Sequence, residues 1–228
     1  MAPHHSAPRL ITTWLIALLL ALGFSRHALG AAYSDPDWGL SGVRVEVAGI
    51  SPFAKWLEEA EPDQVLRQVK PGSCGALSGN SCGLADFGDF MARLRSGDDR
   101  WTQIDRVNRY VNAVAYRSDL ANWGQGDRWV SPGEFFARGG DCEDYAIAKY
   151  FALRSLGVSK DDLRILIVWD RLNDRQHAVL LVQIKGERWV LDNSRVAVRP
   201  WKDVDYYRPL YAVHDGFLWF LVPARANT

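Results

Sequence analysis

Histidine is nearly missing from the body of this chain, net charge is nil, and only one stretch runs apolar for long. Each absence excludes something. A balance of 27 basic against 27 acidic residues leaves no electrostatic footprint for nucleic acid. No internal repeat and no low-complexity linker divides the sequence. The uncharged run, Leu10 to Phe24, is short for a membrane span. Arg9 and two histidines precede it, and small residues follow at Ala28-Leu29-Gly30 or Gly30-Ala31-Ala32, so residues 1–30 read as a secretory signal. An uncleaved anchor is the alternative. No cysteine follows the cleavage site to carry a lipid.

Cleavage would remove Arg9 and Arg26, taking 27 basic residues to 25 against 27 acidic ones. It would also remove His4, His5 and His27, leaving His177 and His214 as the two candidates for a histidine base. Residues 31–228 then read as a single exported domain, long enough for a core of its own. Cysteine is as scarce, with Cys74, Cys82 and Cys142 in the whole chain. The first two lie in a Gly/Ser-rich loop where an oxidising compartment favours a small disulfide, with two free surface thiols as the alternative. Cys142 is then the odd thiol.

What surrounds Cys142 is the densest signal present: Gly139-Gly140-Asp141-Cys142-Glu143-Asp144-Tyr145-Ala146. Asp141 is an N-cap with Asp144 three positions on, Gly157 is a C′ stop, and Ala146, Tyr150 and Leu153 repeat at helical spacing. Cys142 therefore sits in the first turn of a buried helix, where free backbone N–H groups and the macrodipole favour a thiolate. The neighbouring carboxylates act against it. A hard cation would neutralise them, and three carboxylates around one turn suit Ca²⁺ better than Zn²⁺.

Before that helix, Leu84, Phe87, Phe90, Met91 and Leu94 make one helical stripe ending at Gly97. Trp101, Ile104, Val107, Val111 and Val114 make a second. Val43, Val45 and Val47 suggest an edge strand, and Phe53 to Val69 is helix-like but broken at Pro62. Ser131-Pro132-Gly133-Glu134 carries N-cap, N1 proline and N3 glutamate for a short helix. Beyond Gly157 the period switches: Leu163–Trp169, His177–Gln183, Arg188–Leu191 and Phe217–Val222 read as strands. Helices first and an antiparallel sheet second, with the nucleophile helix packed on the sheet, is an α+β arrangement.

A thiol needs a base, and the base needs an acceptor that holds its tautomer. If Lys185-Gly186 forms a two-residue turn, paired numbers sum to 371 and His177 and Asp192 share a face in diagonal contact. A three-residue loop would put them on opposite faces. Cys142, His177 and Asp192 are thus the candidate catalytic set, and His214 reads as a turn residue. The Cys142 N–H is one oxyanion donor; Asn122, Trp123 and Trp129 are candidates for a second.

These residues resemble a known pattern. Asn122-Trp123-Gly124, Trp129-Val130-Ser131-Pro132, the block from Gly140 to Tyr150, His177-Ala178-Val179-Leu180 and Leu191-Asp192-Asn193 are similar to the bacterial transglutaminase-like cysteine proteinases. The likeness is strongest to the periplasmic adhesin proteases among them, over residues 100 to 200. The resemblance implies a papain-like α+β fold, a Cys142–His177–Asp192 triad, and Ca²⁺ dependence involving Asp141 and Glu143. Asp144 joins them as a metal candidate because it shares a helical face with Asp141. The resemblance further implies cleavage of a large surface adhesin near paired alanines, with release of the adhesin and dispersal of biofilm. An inner-membrane receptor that senses cyclic di-GMP is the implied sequestering regulator. A monomer is expected, and the Cys74/Cys82 loop departs from the pattern. The same triad also supports a transglutaminase or amidase, and a non-catalytic calcium-stabilised binding module is the alternative of another class.

Overall fold

The computed structural model describes residues 32–35, 38, 40–45, 47, 50–69 and 87–221. Residues 1–30, read as a secretory signal, Leu84 and the Cys74/Cys82 loop lie outside the described residues. Helices α1 (Ile50–Glu59), α2 (Pro62–Leu66), α3 (Phe87–Gly97), α4 (Arg100–Asn112), α5 (Asp119–Trp123), α6 (Pro132–Arg138) and α7 (Cys142–Ser155) precede most of the sheet. The strands are β1 (Ala32–Asp35), β2 (Leu40–Val45), β3 (Leu163–Asp170), β4 (Arg175–Ile184), β5 (Glu187–Leu191), β6 (Arg199–Pro200), β7 (Tyr207–His214) and β8 (Phe217–Leu221). They form one antiparallel sheet in the order β1-β2-β8-β7-β3-β4-β5-β6, so the fold is α+β.

Local signals place the helix that matters. Ser131 caps α6 in a reciprocal box with Glu134, and Pro132 takes the first turn where its missing N–H is harmless. At α7 the Asp144 carboxylate accepts from the Asp141 N–H at 3.3 Å. The helix stops at a left-handed Gly157, where Val158 N–H reaches Leu153 O and Gly157 N–H reaches Arg154 O. Between these ends α7 is buried from Glu143 to Leu153, because α2, α4 and α6 pack on it from one side and β3 and β4 from the other. Helices and sheet share a core that includes Phe135, Ile147, Phe151, Ile165 and Leu180. The far face of the sheet holds a second cluster around Trp38, Leu166, Val179, Leu181, Val190 and Tyr207.

Two strand expectations need correction. The Val43–Val47 segment is not an edge: β2 runs Leu40–Val45 and lies between β1 and β8. And β7, interior between β3 and β8, has no counterpart in the reading of the sequence. Pro209 disguises it, since proline cannot donate to a ladder. The structure tolerates it at a register shift, where Ile167 opposes Tyr211 but Val168 opposes Pro209.

Candidate active site

The β4–β5 turn decides whether a dyad can form. Lys185 and Gly186 both take positive φ, 51° and 79°, the pair of values a two-residue hairpin turn requires. Leu180 then opposes Leu191 and Ile184 opposes Glu187, each pair summing to 371. This is the register expected from the sequence. His177 and Asp192 fall on the sheet face of Val179 and Val190, and Nε2 of His177 lies 2.8 Å from Asp192 Oδ1. The Asp192 carboxylate also accepts from Tyr207 Oη at 2.7 Å and from the Ser194 N–H at 2.7 Å. Asn112 on α4 donates to the Asp192 carbonyl at 2.8 Å. His177 is 2 % exposed and Asp192 3 %, so the pair is sealed from behind.

Cys142 opens α7 and shares a cavity of about 610 Å³ with His177. Asn112, Val114, Tyr116, Asp141, Tyr145, Arg175, Gln176, Asn193 and Ser194 complete its walls. The thiol donates to Glu143 Oε2 at 3.3 Å. The entrance to α7 is held by close backbone packing. A parallel bridge joins Tyr116 to Gly140, and the Arg117 N–H donates to Gly140 O at 2.9 Å. A Cβ at Gly139 would overlap the Ala115 carbonyl, and one at Gly140 the Asp144 carboxylate. The paired glycines therefore serve contact as well as conformation.

The acidic residues separate into two groups that share Asp141. One is Asp141, Cys142 and Glu143; the other is Asp119, Asp141 and Asp144, with ligand atoms within 4.8 Å of one another. Glu143 faces the thiol, whereas Asp144 faces Asp119. In the second group the Asp119 N–H donates to Asp141 Oδ2 at 3.3 Å, Asp144 Oδ1 accepts from the Val130 N–H at 3.0 Å, and the Arg128 N–H donates to Asp119. Oδ1 of Asp119 and Oδ1 of Asp141 are buried without a donor. Orphaned carboxylate oxygens converging in one place are what a hard cation needs, so this trio fits Ca²⁺. Asp119 was not read as a site residue, because it lies 22 positions before Asp141 and only the fold of α5 brings it there. Its signal was the Ser118 cap beside it.

Of the three candidates for a second oxyanion donor, two have their donors taken, and the Trp123 indole N–H is buried without an acceptor. Asn122 donates to Gly139 O at 3.2 Å and Trp129 to Asp127 at 3.2 Å. The Trp123 ring stacks between the Arg128 and Arg138 guanidinium groups, at 3.9 and 4.7 Å. None of them lines the Cys142 cavity. His214, read as a turn residue, closes β7, away from that cavity, its carbonyl accepting from the Trp219 indole.

The profile of the bacterial transglutaminase-like cysteine proteinases (BTLCP) matches residues 79–218, more than half of the chain. This chain belongs to that family. Its fold also matches Legionella pneumophila LapG. In one LapG structure the identity is 25 %, with a TM-score of 0.57 over 72 % of this chain and 89 % of that one. An EGTA-treated LapG structure gives 25 % identity and 0.55 over 79 % and 89 %. A calcium-bound one gives 24 % and 0.56 over 74 % and 94 %. No curated sequence matches.

In this cysteine proteinase the electrostatics of the thiol and of the dyad differ in sign. Burial pushes the Cys142 thiol far above its ordinary value, and the Glu143 and Asp141 carboxylates push it further, while an N–H from Ala178 works the other way. Burial likewise raises Glu143 to about 9 and Asp144 to about 8, with Asp141 adding to both and Asp119 to Asp144. Asp119 rises too, chiefly by burial. For Asp192 burial also favours the neutral acid, but the bonds from His177, Tyr207 and Ser194 outweigh it and hold the carboxyl below its usual range. Charge is thus accepted at Asp192 and refused around Cys142.

Proposed function

We propose that this protein is a calcium-dependent periplasmic cysteine endopeptidase that cuts the N-terminal region of a large surface adhesin near paired alanines, releasing it and controlling biofilm attachment. The observation that carries the reading is that Cys142 and His177 wall one cavity while Asp192 holds the far nitrogen of that imidazole. Membership of a cysteine proteinase family and the likeness to LapG, one structure of which is calcium-bound, support it. The secretory segment at residues 1–30 supports the compartment. In this reading the protein acts as a monomer and is held back by an inner-membrane receptor that senses cyclic di-GMP.

The chemistry follows from the atoms present. Asp192 accepts the Nε2–H of His177, which leaves Nδ1 with a lone pair for the Cys142 proton. The thiolate adds to the scissile carbonyl carbon, and the new oxyanion takes the Cys142 N–H at the helix start. His177 returns the proton to the leaving amine as the C–N bond breaks, giving a thioester. Water, deprotonated by the same imidazole, then displaces the thiolate and completes hydrolysis. Asp119, Asp141 and Asp144 would hold Ca²⁺, with Glu143 beside the thiol. The ion would supply positive charge next to the carboxylates that otherwise disfavour the thiolate.

The test is incubation of the mature protein with an adhesin N-terminal fragment in Ca²⁺, in EGTA, and as Cys142→Ala. Cutting in Ca²⁺ alone, lost in both controls, is expected. Cutting that survives EGTA removes the ion from the reaction. An uncut fragment in Ca²⁺ rejects the substrate, and transfer to an added primary amine would then mark an acyltransferase.

A further inference from the structure

Of the described residues that line the reaction cavity, one is a permanent cation, and the chemistry above does not use it. Arg175 opens β4 two residues before His177, so the two side chains share a face of the strand, about 7 Å apart along it. Among the described residues its guanidinium makes no hydrogen bond and no ion pair. A planar fork of N–H donors is thus left unspent beside the space where a peptide must lie.

The hairpin spends its acid elsewhere. Asp170 is the direct cross-strand partner of Arg175 in the β3–β4 ladder, a place where opposite charges ordinarily pair. Its carboxylate instead ties the turn, accepting from the Leu172 N–H at 2.9 Å, the Asn173 N–H at 3.4 Å and the Asn173 side-chain amide at 2.6 Å. Asp170 is 1 % exposed, so its oxygens stay in the turn. The other arginine of the hairpin, Arg171, donates to the Asp205 carbonyl. Arg175 differs from it in standing at the cavity with nothing to bind. The remaining charge of the site is acidic and lies at the thiol end, with Asp141 on the wall and Glu143 bonded to Cys142.

The path of the proton gives the substrate a direction. The Ala178 N–H bonds the Cys142 thiol, and β4 runs back from there through His177 to Arg175. His177 hands its proton to the leaving amine, so the amine side of the scissile bond lies at His177 and its chain departs toward Arg175. Two residues of extended peptide span about 7 Å, the separation of His177 and Arg175 along the strand. We propose that Arg175 is a specificity-determining residue: its guanidinium takes an acidic side chain, Asp or Glu, about two or three residues beyond the scissile bond on the leaving-group side. A carboxylate fits the fork with two parallel bonds, whereas a neutral or basic side chain leaves it unmatched. The inference rests on the cysteine endopeptidase reading above.

Cleavage of synthetic peptides tests it. Each peptide carries paired alanines and, shortly after them, Asp, Asn or Lys; a further set carries the Asp before the alanines. The full mature chain is used with Ca²⁺ present, as wild type, Arg175→Gln and Arg175→Glu, and cut sites are read by mass spectrometry. Wild type is expected to favour Asp over Asn by about five- to tenfold in kcat/KM, on the leaving-group side only. Arg175→Gln should bring that ratio to about one. Arg175→Glu should turn the preference to Lys, an inversion that a merely structural arginine does not give. An Asp preference that is absent in wild type, or kept in Arg175→Gln, overturns the proposal. So does one confined to Asp before the cut. Binding of the same peptides to Cys142→Ala, with and without Arg175→Gln, is read by fluorescence anisotropy and separates the two readings. Peptides bound with the Arg175-dependent Asp preference but never cut by wild type reject the endopeptidase and support the Arg175 contact. Peptides neither cut nor bound reject both.

Discussion

Removing the cation proposed for the Asp119–Asp141–Asp144 cluster should turn it from a support into a pH-dependent liability. Asp144 carries the argument. Its carboxyl rises from 3.8 in a free chain to about 8 in the fold, by burial first and then by the Asp141 and Asp119 charges. Between those values the unfolded chain has released a proton that the native protein still holds. Metal-free stability therefore falls as pH climbs through this window and levels above it. At about 1.4 kcal/mol for each pH unit, the loss at Asp144 alone comes to about 6 kcal/mol over the whole window. For a domain this size about 1 kcal/mol moves the melting temperature by about 2 to 4 °C. In EGTA the melting temperature should then drop by about 10 °C or more from pH 5 to pH 8. Calcium at a hundred times its Kd returns about 2.7 kcal/mol and, by favouring the ionised carboxylates, flattens the slope. Differential scanning fluorimetry across pH with Ca²⁺ and with EGTA reads both. Parallel curves would refute the reasoning, because a cluster that holds no cation has no reason to respond to chelation.

Three substitutions probe the same frame. Asp192→Asn keeps shape but removes the charge that His177 binds, so kcat should fall on the order of 10⁴-fold, measured by product formation from a cleaved peptide. Tyr207→Phe deletes one charge-assisted bond to Asp192 and should lower stability by about 1.5 to 3 kcal/mol in urea unfolding, with an unchanged midpoint counting against the contact. Gly140→Ala inserts a Cβ into the Asp144 carboxylate, and the calcium-dependent rise in melting temperature should shrink or vanish. A full-sized rise would show that the close approach is dispensable.

Much of the site was legible because its signals are local. The α7 cap, the α6 capping box and the Lys185-Gly186 turn each depend on residues a few positions apart. The two-residue turn then carries its information outward, since register propagates along a ladder and sets the face of His177 and Asp192. The departures are non-local. Trp129 and Asn122 sit in the loop that leads to the nucleophile, yet their donors are taken by Asp127 and Gly139. Nothing in their spacing reveals that competition.

The sequence by itself determined an α+β reading, a thiol at a helix start, and the order and shared face of His177 and Asp192. Those follow from turn chemistry, capping and periodicity, which act over one or two turns of chain. Tertiary structure alone decided that Asp119 joins Asp141 and Asp144, that Tyr207 from an unread interior strand steadies Asp192, and that Glu143 faces the thiol while Asp144 does not. It also buried Lys149 without an acceptor on the face that begins with Cys142. The Asp119 and Tyr207 contacts join groups distant in sequence, which only the packing of the whole fold brings within reach.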